Sequence, residues 1–268
     1  ERHSTKKSSE LKICFITGQK DSRQTGITDY VELIAKELEK LGYKIERYFI
    51  KKEFRELTDL PNADVYSIQF APYAFAAKGI PNQILKCLCR KLQHQKVHLN
   101  FHEIWVGDYP RASWKEKGME WLQRSLVLGF IKKCKPIWIT SSNAAAIDRL
   151  NRAGITTRFL YLFGNIPLSS THEVKITGRT LKVAFFGTAY ADFPYDKLND
   201  FFSVLSKSCG KKLEIIMIGR QREDAGTERV LSICKKNHFL TQTTGELSTN
   251  LISEQLQKCG LGVSTTPY

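Results

Sequence analysis

The stretch Leu181-Lys-Val-Ala-Phe-Phe-Gly-Thr-Ala-Tyr190 decides how this chain is read. Six residues suited to a buried strand run into Gly187, and the chain then turns. A near-copy stands close to the start, Leu11-Lys-Ile-Cys-Phe-Ile-Thr-Gly18. Two strand-then-glycine openings so far apart predict two α/β halves, each beginning afresh. A ligand shared by both halves would face both glycine loops, because parallel sheets of this kind bind at the carboxyl ends of their strands.

Composition sets the bounds. The 268 residues suffice for one large domain or two ordinary ones. With 42% apolar and 25% charged residues, the chain has the balance of a globular protein in water. It has no apolar run of about 18 residues, the length a membrane-spanning helix needs. Residues 1–10 are polar and charged and read as a disordered lead-in, neither signal peptide nor strand. The seven cysteines are scattered, and Cys14 and Cys134 sit in apolar runs, which suits buried thiols in a reducing, cytoplasmic setting. Cys87-x-Cys89 with His94 and His98 is the densest metal-ligand cluster. Zinc sites space paired cysteines by two to four residues, and this pair lies on a predicted helix, so no metal is expected.

The net charge of +14 falls mostly in residues 1–167. Such a field suits nucleic acid, an anionic membrane face or a phosphorylated substrate. No nucleic-acid module is present, and the basic residues are dispersed rather than striped, so nucleic acid is not an expected partner.

Taken in order, the first half reads strand, helix, strand. Gly26-Ile-Thr-Asp-Tyr30 opens a helix whose apolar positions Ile27, Tyr30, Val31, Ile34, Leu38 and Leu41 recur at helical spacing, and Gly42 closes it. A glycine at that N-terminus lets backbone N–H groups approach a phosphate or sugar closely, or serves only as a turn. The dinucleotide fingerprint G-x-G-x-x-G is absent, which leaves nicotinamide binding without support. Strands are predicted at Lys44–Ile50, Ala63–Phe70, Val97–Phe101, Pro136–Thr140 and Arg158–Phe163. Helices are predicted at Ile80–Leu92 with Pro81 in its first turn, at Arg111–Lys133, and after the cap Ser141-Ser-Asn143 as far as Arg152. His102-Glu103 follows a strand's carboxyl end, well placed for chemistry, or equally a hydrogen-bonded structural histidine and a cap. The helix from Arg111 mixes Trp114 and Trp121 with several lysines. That pattern suits either a solvated face over a packed apolar stripe or an anionic membrane surface.

Residues 168–180 form a Ser/Thr-rich linker. Beyond it, strands at Leu181–Phe186, Lys212–Ile218, His238–Thr241 and Leu261–Thr265 alternate with helices at Tyr195–Ser208, Ala225–Asn237 and Thr249–Lys258. That alternation means parallel strands joined by crossover helices. Gly187, Gly219 and Gly245 each fall just past a strand, on one edge of the sheet. The last strand runs straight into the end of the sequence, and the second half reads as cut short.

These residues together resemble the GT-B glycosyltransferases, specifically the retaining family four. The resemblance is carried by Gly26-Ile-Thr-Asp-Tyr30, Phe101-His-Glu-Ile-Trp105, Ile139-Thr-Ser-Ser142, Asn165-Ile-Pro167, Val183-Ala-Phe-Phe-Gly-Thr188, Ile216-Met-Ile-Gly219 and Thr244-Gly-Glu-Leu247, and it covers nearly the whole chain. It implies two Rossmann-like doubly wound domains facing a cleft, an acceptor-side domain at 11–167 and a nucleotide-sugar-binding domain at 181–268, the second incomplete at its C-terminus. It implies sugar transfer from a nucleotide-sugar donor, UDP- or GDP-linked, to a glycan or lipid-linked acceptor, with no cofactor and no metal. It places Gly26 near the donor's phosphates, His102 near the transferred sugar, Gly187 and Thr188 on the diphosphate, Gly219 beside the nucleotide and Glu246 at the base pocket. Peripheral contact with the cytoplasmic face of an anionic membrane is a further expectation.

Two departures from the family pattern stand out. Family members carry an arginine after the second-domain glycine and a lysine a few residues on. Here those places hold Thr188 and Phe193, with Lys197 the nearest substitute at a different spacing. The paired glutamates that grip the donor would lie beyond the strand ending at Thr265. The alternatives are a catalytically silent binding or regulatory protein and a nucleotide-sugar epimerase.

Overall fold

In a computed structural model, the fold is described for residues 11–18, 26–50, 57, 59–76, 78–107, 112–164, 166, 178–187, 189–190, 193–219 and 225–264. The sequence expectations for the lead-in 1–10, for most of the linker and for Thr188 lie outside these residues. The chain divides into two compact units, Glu1–Asn165 and Ile166–Tyr268.

The first unit has six strands, β1 (Lys12–Thr17), β2 (Lys44–Phe49), β3 (Val65–Phe70), β4 (Val97–Phe101), β5 (Trp138–Ser141) and β6 (Arg158–Phe159). Between them run α1 (Gly26–Lys40), α2 (Pro72–Phe75), α3 (Asn82–Leu92), α4 (Trp114–Cys134) and α5 (Ala144–Arg152). The strands are all parallel, in the order β2-β1-β3-β4-β5-β6. From β3 onward the sheet grows one way, whereas β1 to β2 steps the other way. The switch point therefore lies between β1 and β3, where open α/β sheets form their ligand crevices.

Residue alternation assigns the two faces. Cys14, Ile16, Ile68 and Leu99 share the main core with Leu88 of α3, Phe130 of α4 and Leu150 of α5. Phe15 of β1 instead packs with Tyr30, Val31 and Ala35 of α1. Neighbouring strand residues thus feed opposite layers, as the period of two requires.

In the second unit, β7 (Thr180–Phe186), β8 (Lys212–Ile218), β9 (Leu240–Thr243) and β10 (Leu261–Val263) alternate with α6 (Tyr195–Cys209), α7 (Ala225–Lys236) and α8 (Thr249–Gln257). The sheet is parallel in the order β10-β7-β8-β9, so its switch point lies between β7 and β10. Val183, Phe185, Ile215 and Met217 pack with Phe202 and Val230 on one face. Ala184, Ile216 and Ile218 pack with Cys259 and the half-buried Ile252 on the other. The α/β class with two parallel-sheet units is the one predicted.

Several element ends differ by a few residues from the sequence reading, and three of the differences have a visible cause. Helix α4 begins at Trp114, not Arg111, because Ser113 and Glu116 close a capping box that fixes the start. Strand β6 stops at Phe159, and Phe163 stacks on Tyr30 instead, with ring centroids 4.9 Å apart. Strand β9 starts at Leu240, because His238 occupies a left-handed turn at φ 54°. The short α2 was not anticipated. Among the described residues, no helix is long and apolar enough to cross a membrane.

Candidate functional site

In the first unit the sequence candidates Gly26 and His102 meet through α1. His102 directly follows β4, and its backbone N–H donates to the carbonyl of Phe70 at the end of β3, 3.0 Å away. Tyr30, on the first turns of α1 beyond Gly26, sets its ring edge-on to the imidazole at 5.2 Å. Gly26 itself is exposed, and a Cβ added there would meet nothing within 4 Å among the described residues. Backbone at the start of α1 is therefore open to a close approach, within the helix end that favours anions.

The environment of His102 controls its charge. Burial pushes its pKa down from 6.5 to about 4, so the ring is neutral at pH 7. Its Nε2 lies 2.9 Å from Oε1 of Gln69 on β3. A carbonyl oxygen only accepts, so Nε2 carries the proton and Nδ1 keeps its lone pair. Nδ1 has no hydrogen-bond partner among the described residues. Glu103 is exposed beside it. The hydroxyl of Thr17, at the carboxyl end of β1, is buried without a partner among the described residues, as is the indole N–H of Trp105.

Gln69 belongs to a set of polar residues that sequence reasoning passed over. Ser67 and Gln69 on β3, His98 and Asn100 on β4 and Thr140 on β5 line one face of the central strands. Gln69 is 1% exposed and Asn100 4%. Central parallel strands normally read as continuous apolar runs. Here Tyr-Ser-Ile-Gln-Phe and Val-His-Leu-Asn-Phe alternate, and that alternation was the available signal. It also accounts for His98, whose ring nitrogens contact Ser67 and Thr140 at 2.9 and 2.8 Å rather than joining Cys87 and Cys89. Among the described residues no group of three or more His, Cys, Asp or Glu could hold a metal ion. All seven cysteines are free, and burial raises the Cys14 and Cys134 thiols to about 12.

In the second unit, Gly187 and Gly219 follow the paired strand ends Phe186 and Ile218. Their φ values of 106° and 100° lie where only glycine is comfortable. Gly219 pairs with Gly245 through a β-bridge, and its N–H donates to Thr244 Oγ1 at 3.1 Å. The loops after β8 and β9 are thereby tied together, with Glu246 exposed next to the bridge. Lys197 is exposed in the first turn of α6. The predicted residues Gly187, Gly219, Glu246 and Lys197 thus all lie at the carboxyl edge of this sheet. With the Gly219 N–H held by Thr244, Gly187 is the glycine of this pair whose left-handed backbone suits a close approach of phosphate oxygens.

No known family's sequence profile matches the chain, and no curated protein matches it in sequence. Solved structures do match it in three dimensions. An α-glucosyltransferase in complex with UDP and a 13-mer DNA containing a central A:G mismatch is 12% identical, with a TM-score of 0.56, over 94% of this chain and 71% of that one. HepE of Anabaena in complex with UDP is 12% identical, with a TM-score of 0.55, over 94% and 73%. A protein assigned as a UDP-N-acetylglucosamine 2-epimerase from Listeria monocytogenes is 10% identical, with a TM-score of 0.53, over 96% and 74%. At these identities the likeness establishes the fold, which is the GT-B fold.

Proposed function

We propose that this chain is a glycosyltransferase that moves a sugar from a nucleotide-sugar donor to a glycan or lipid-linked acceptor, without a metal and with retention at the sugar carbon. The observation that carries this reading is the row of left-handed glycines, Gly187, Gly219 and Gly245, at the carboxyl edge of the second sheet. Gly187 and Lys197 would take the diphosphate, Gly219 would let the nucleotide pass closely, and Glu246 would border the base. Two structures of the same fold hold UDP, which supports a UDP-linked donor over a GDP-linked one.

His102 would meet the transferred sugar. As a neutral ring with a bare Nδ1 it accepts a hydrogen bond from a sugar hydroxyl and adds no charge near the sugar carbon. Charge develops instead on the departing diphosphate, where amides and a cation stabilise it. The departing phosphate oxygen then takes the proton from the acceptor hydroxyl. Catalysis is mainly positioning and charge stabilisation.

The outer face of α4 supports a membrane-associated acceptor. Trp114 and Trp121, seven residues apart and so on one stripe of the helix, are 79% and 71% exposed. A groove of about 870 Å³ between α3 and α4 is lined by Lys86, Arg90, Lys132, Lys133 and Lys135 and, among the described residues, by no carboxylate. Exposed aromatic side chains and cations on one helix suit an anionic bilayer surface. The free thiols suit its cytoplasmic side.

The test is a thermal-shift panel with UDP, GDP, ADP and NAD, followed by product analysis with the matching nucleotide sugar. Ligand at a hundred times its dissociation constant stabilises by about 2.7 kcal/mol. A shift with one nucleoside diphosphate and a glycoside product supports the reading, whereas no shift with any of them overturns it. The epimerase-assigned protein of the same fold gives a second reading. A free sugar epimer in place of a glycoside would establish that one.

A further inference from the structure

The hydrogen bonds behind His102 close into a ring. Thr140 has a single hydroxyl proton, and its Oγ1 lies 2.8 Å from Asn100 Oδ1, an atom that only accepts. That proton is therefore committed, and His98 Nε2, also 2.8 Å from Thr140 Oγ1, must donate to it. Neutral His98 is left with a bare Nδ1, which takes the one proton of Ser67 Oγ across 2.9 Å. Ser67 Oγ in turn accepts from Gln69 Nε2 at 2.8 Å. Gln69 thus presents its Oε1 to the other side, where Asn100 Nδ2 donates to it at 2.9 Å and closes the circuit. Every member donates once and accepts once within the circuit, all in one sense. His102 branches from the circuit, donating from Nε2 to the same Gln69 Oε1 at 2.9 Å, with Asn100 Nδ2 farther from that nitrogen at 3.3 Å.

The sense of this ring matters because the opposite one is also self-consistent. With both amides turned over, every donor becomes an acceptor, and Gln69 would present its NH₂ to His102. Nε2 would then be bare and Nδ1 would carry the proton. The ring is a circuit with two polarities, and each dictates one tautomer of His102. Such buried circuits favour a single polarity throughout, since a half-turned member leaves two donors or two acceptors face to face.

We infer that Gln69 is a positioning residue: with Ser67, His98, Thr140 and Asn100 behind it, it holds His102 in the Nε2–H tautomer and presents Nδ1 as a fixed acceptor for a ligand hydroxyl. The tautomer rests on the orientations of the Gln69 and Asn100 amides in this circuit, whereas the hydroxyl ligand rests on the glycosyltransferase reading. Metal-bound histidines are oriented in the same manner by partners that touch no substrate, and removing such partners costs about 10- to 100-fold in function.

The test is histidine-selective ¹⁵N NMR on the full chain at pH 7, with His102 assigned by comparison with His102→Gln. Wild type should show a protonated Nε2 and a bare Nδ1. In Gln69→Met, which keeps the length but makes no hydrogen bond, that pattern should give way to a mixture of tautomers. In parallel, kcat/KM for nucleotide-sugar turnover should fall about tenfold. Thr140→Val, a milder cut on the far side of the ring, should move the His102 pattern in the same direction if Gln69→Met does not fold. A protonated Nδ1 in wild type, or an unchanged His102 pattern in the folded variants, overturns the inference. If the tautomer moves as expected but no nucleotide sugar is turned over, the glycosyltransferase reading fails and the positioning role of Gln69 stands.

Discussion

Tyr30 stands edge-on to His102, with the ring planes at 77° and the centroids 5.2 Å apart, while Phe163 stacks on Tyr30 at 4.9 Å. Tyr30 thus covers the imidazole on the α1 side, and Phe163 backs Tyr30. Burial lowers the pKa of His102 from 6.5 to about 4, and His98 is lowered as far by the same cause. Both rings are buried neutral, so between those values the unfolded chain binds protons that the folded chain refuses.

Stability should therefore be complete above about pH 6.5 and decline as pH falls towards about 4. Melting temperatures measured from pH 7 down to 4 should fall in wild type. They should fall less steeply in His102→Gln, whose side chain stays neutral throughout. Parallel pH profiles for the two proteins would show that His102 is not buried in its neutral form.

The start of α4 makes a separate, local prediction. Ser113 Oγ accepts from the Glu116 N–H at 3.3 Å, and Glu116 Oε2 accepts from the Ser113 N–H at 2.7 Å. Ser113→Ala should cost about 1 kcal/mol. Glu116→Gln should cost less than Glu116→Ala, because an amide oxygen can still close the box. Urea midpoints at constant slope would read these differences, and equal losses for the two Glu116 variants would contradict the reciprocal bond.

How much of this was legible in the sequence depends on how local each signal is. Asn143 caps α5 with its own side chain, accepting from the N–H groups of Ala145 and Ala146, and a capping residue is readable within three positions. The strand-then-glycine plan at Gly187 and Gly219 is equally local, since a chain leaving a strand at φ near 100° needs glycine wherever it goes next. The ring behind His102 is not local. It joins Gln69 to Thr140 through the register of β3, β4 and β5, and that register is set by packing far along the chain. Polar alternation within each strand hinted at it, but only the pairing shows that the polar residues meet. Strand β6 was read too long for a similar reason. Phe159 to Phe163 has strand composition throughout, and its last ring is taken by Tyr30 on another element.

The α4 face yields a third prediction. Trp114 and Trp121 contribute little to the core at their exposure, so replacing both with Ala should leave the melting temperature nearly unchanged. The same change should release the protein from vesicles containing phosphatidylglycerol in a sedimentation assay. Lys132→Glu with Lys133→Glu should do so more strongly at low salt than at high salt, because exposed charges are screened. Equal binding of wild type and variants to anionic vesicles would remove α4 from the membrane contact. Duplex DNA in place of vesicles tests the rival polyanion.

Two glycine substitutions separate ligand approach from backbone strain. A Cβ added at Gly26 or at Gly219 would meet nothing within 4 Å among the described residues, so neither change clashes with them. They differ in φ, which at Gly219 is 100° and at Gly26 is not in the left-handed region. Gly219→Ala should thus destabilise by about 1–2 kcal/mol through the backbone alone. Gly26→Ala should instead stabilise by about 0.4–1 kcal/mol, since Ala loses less freedom on entering a helix. If backbone at the start of α1 receives a phosphate or sugar, Gly26→Ala should nonetheless weaken the binding of the intact nucleotide sugar by tenfold or more. The nucleoside diphosphate alone tells phosphate from sugar. Its binding falls with that of the nucleotide sugar if Gly26 faces the phosphates, and stays unchanged if Gly26 faces the sugar. A gain in stability with unchanged binding of both ligands would make Gly26 a turn residue and nothing more.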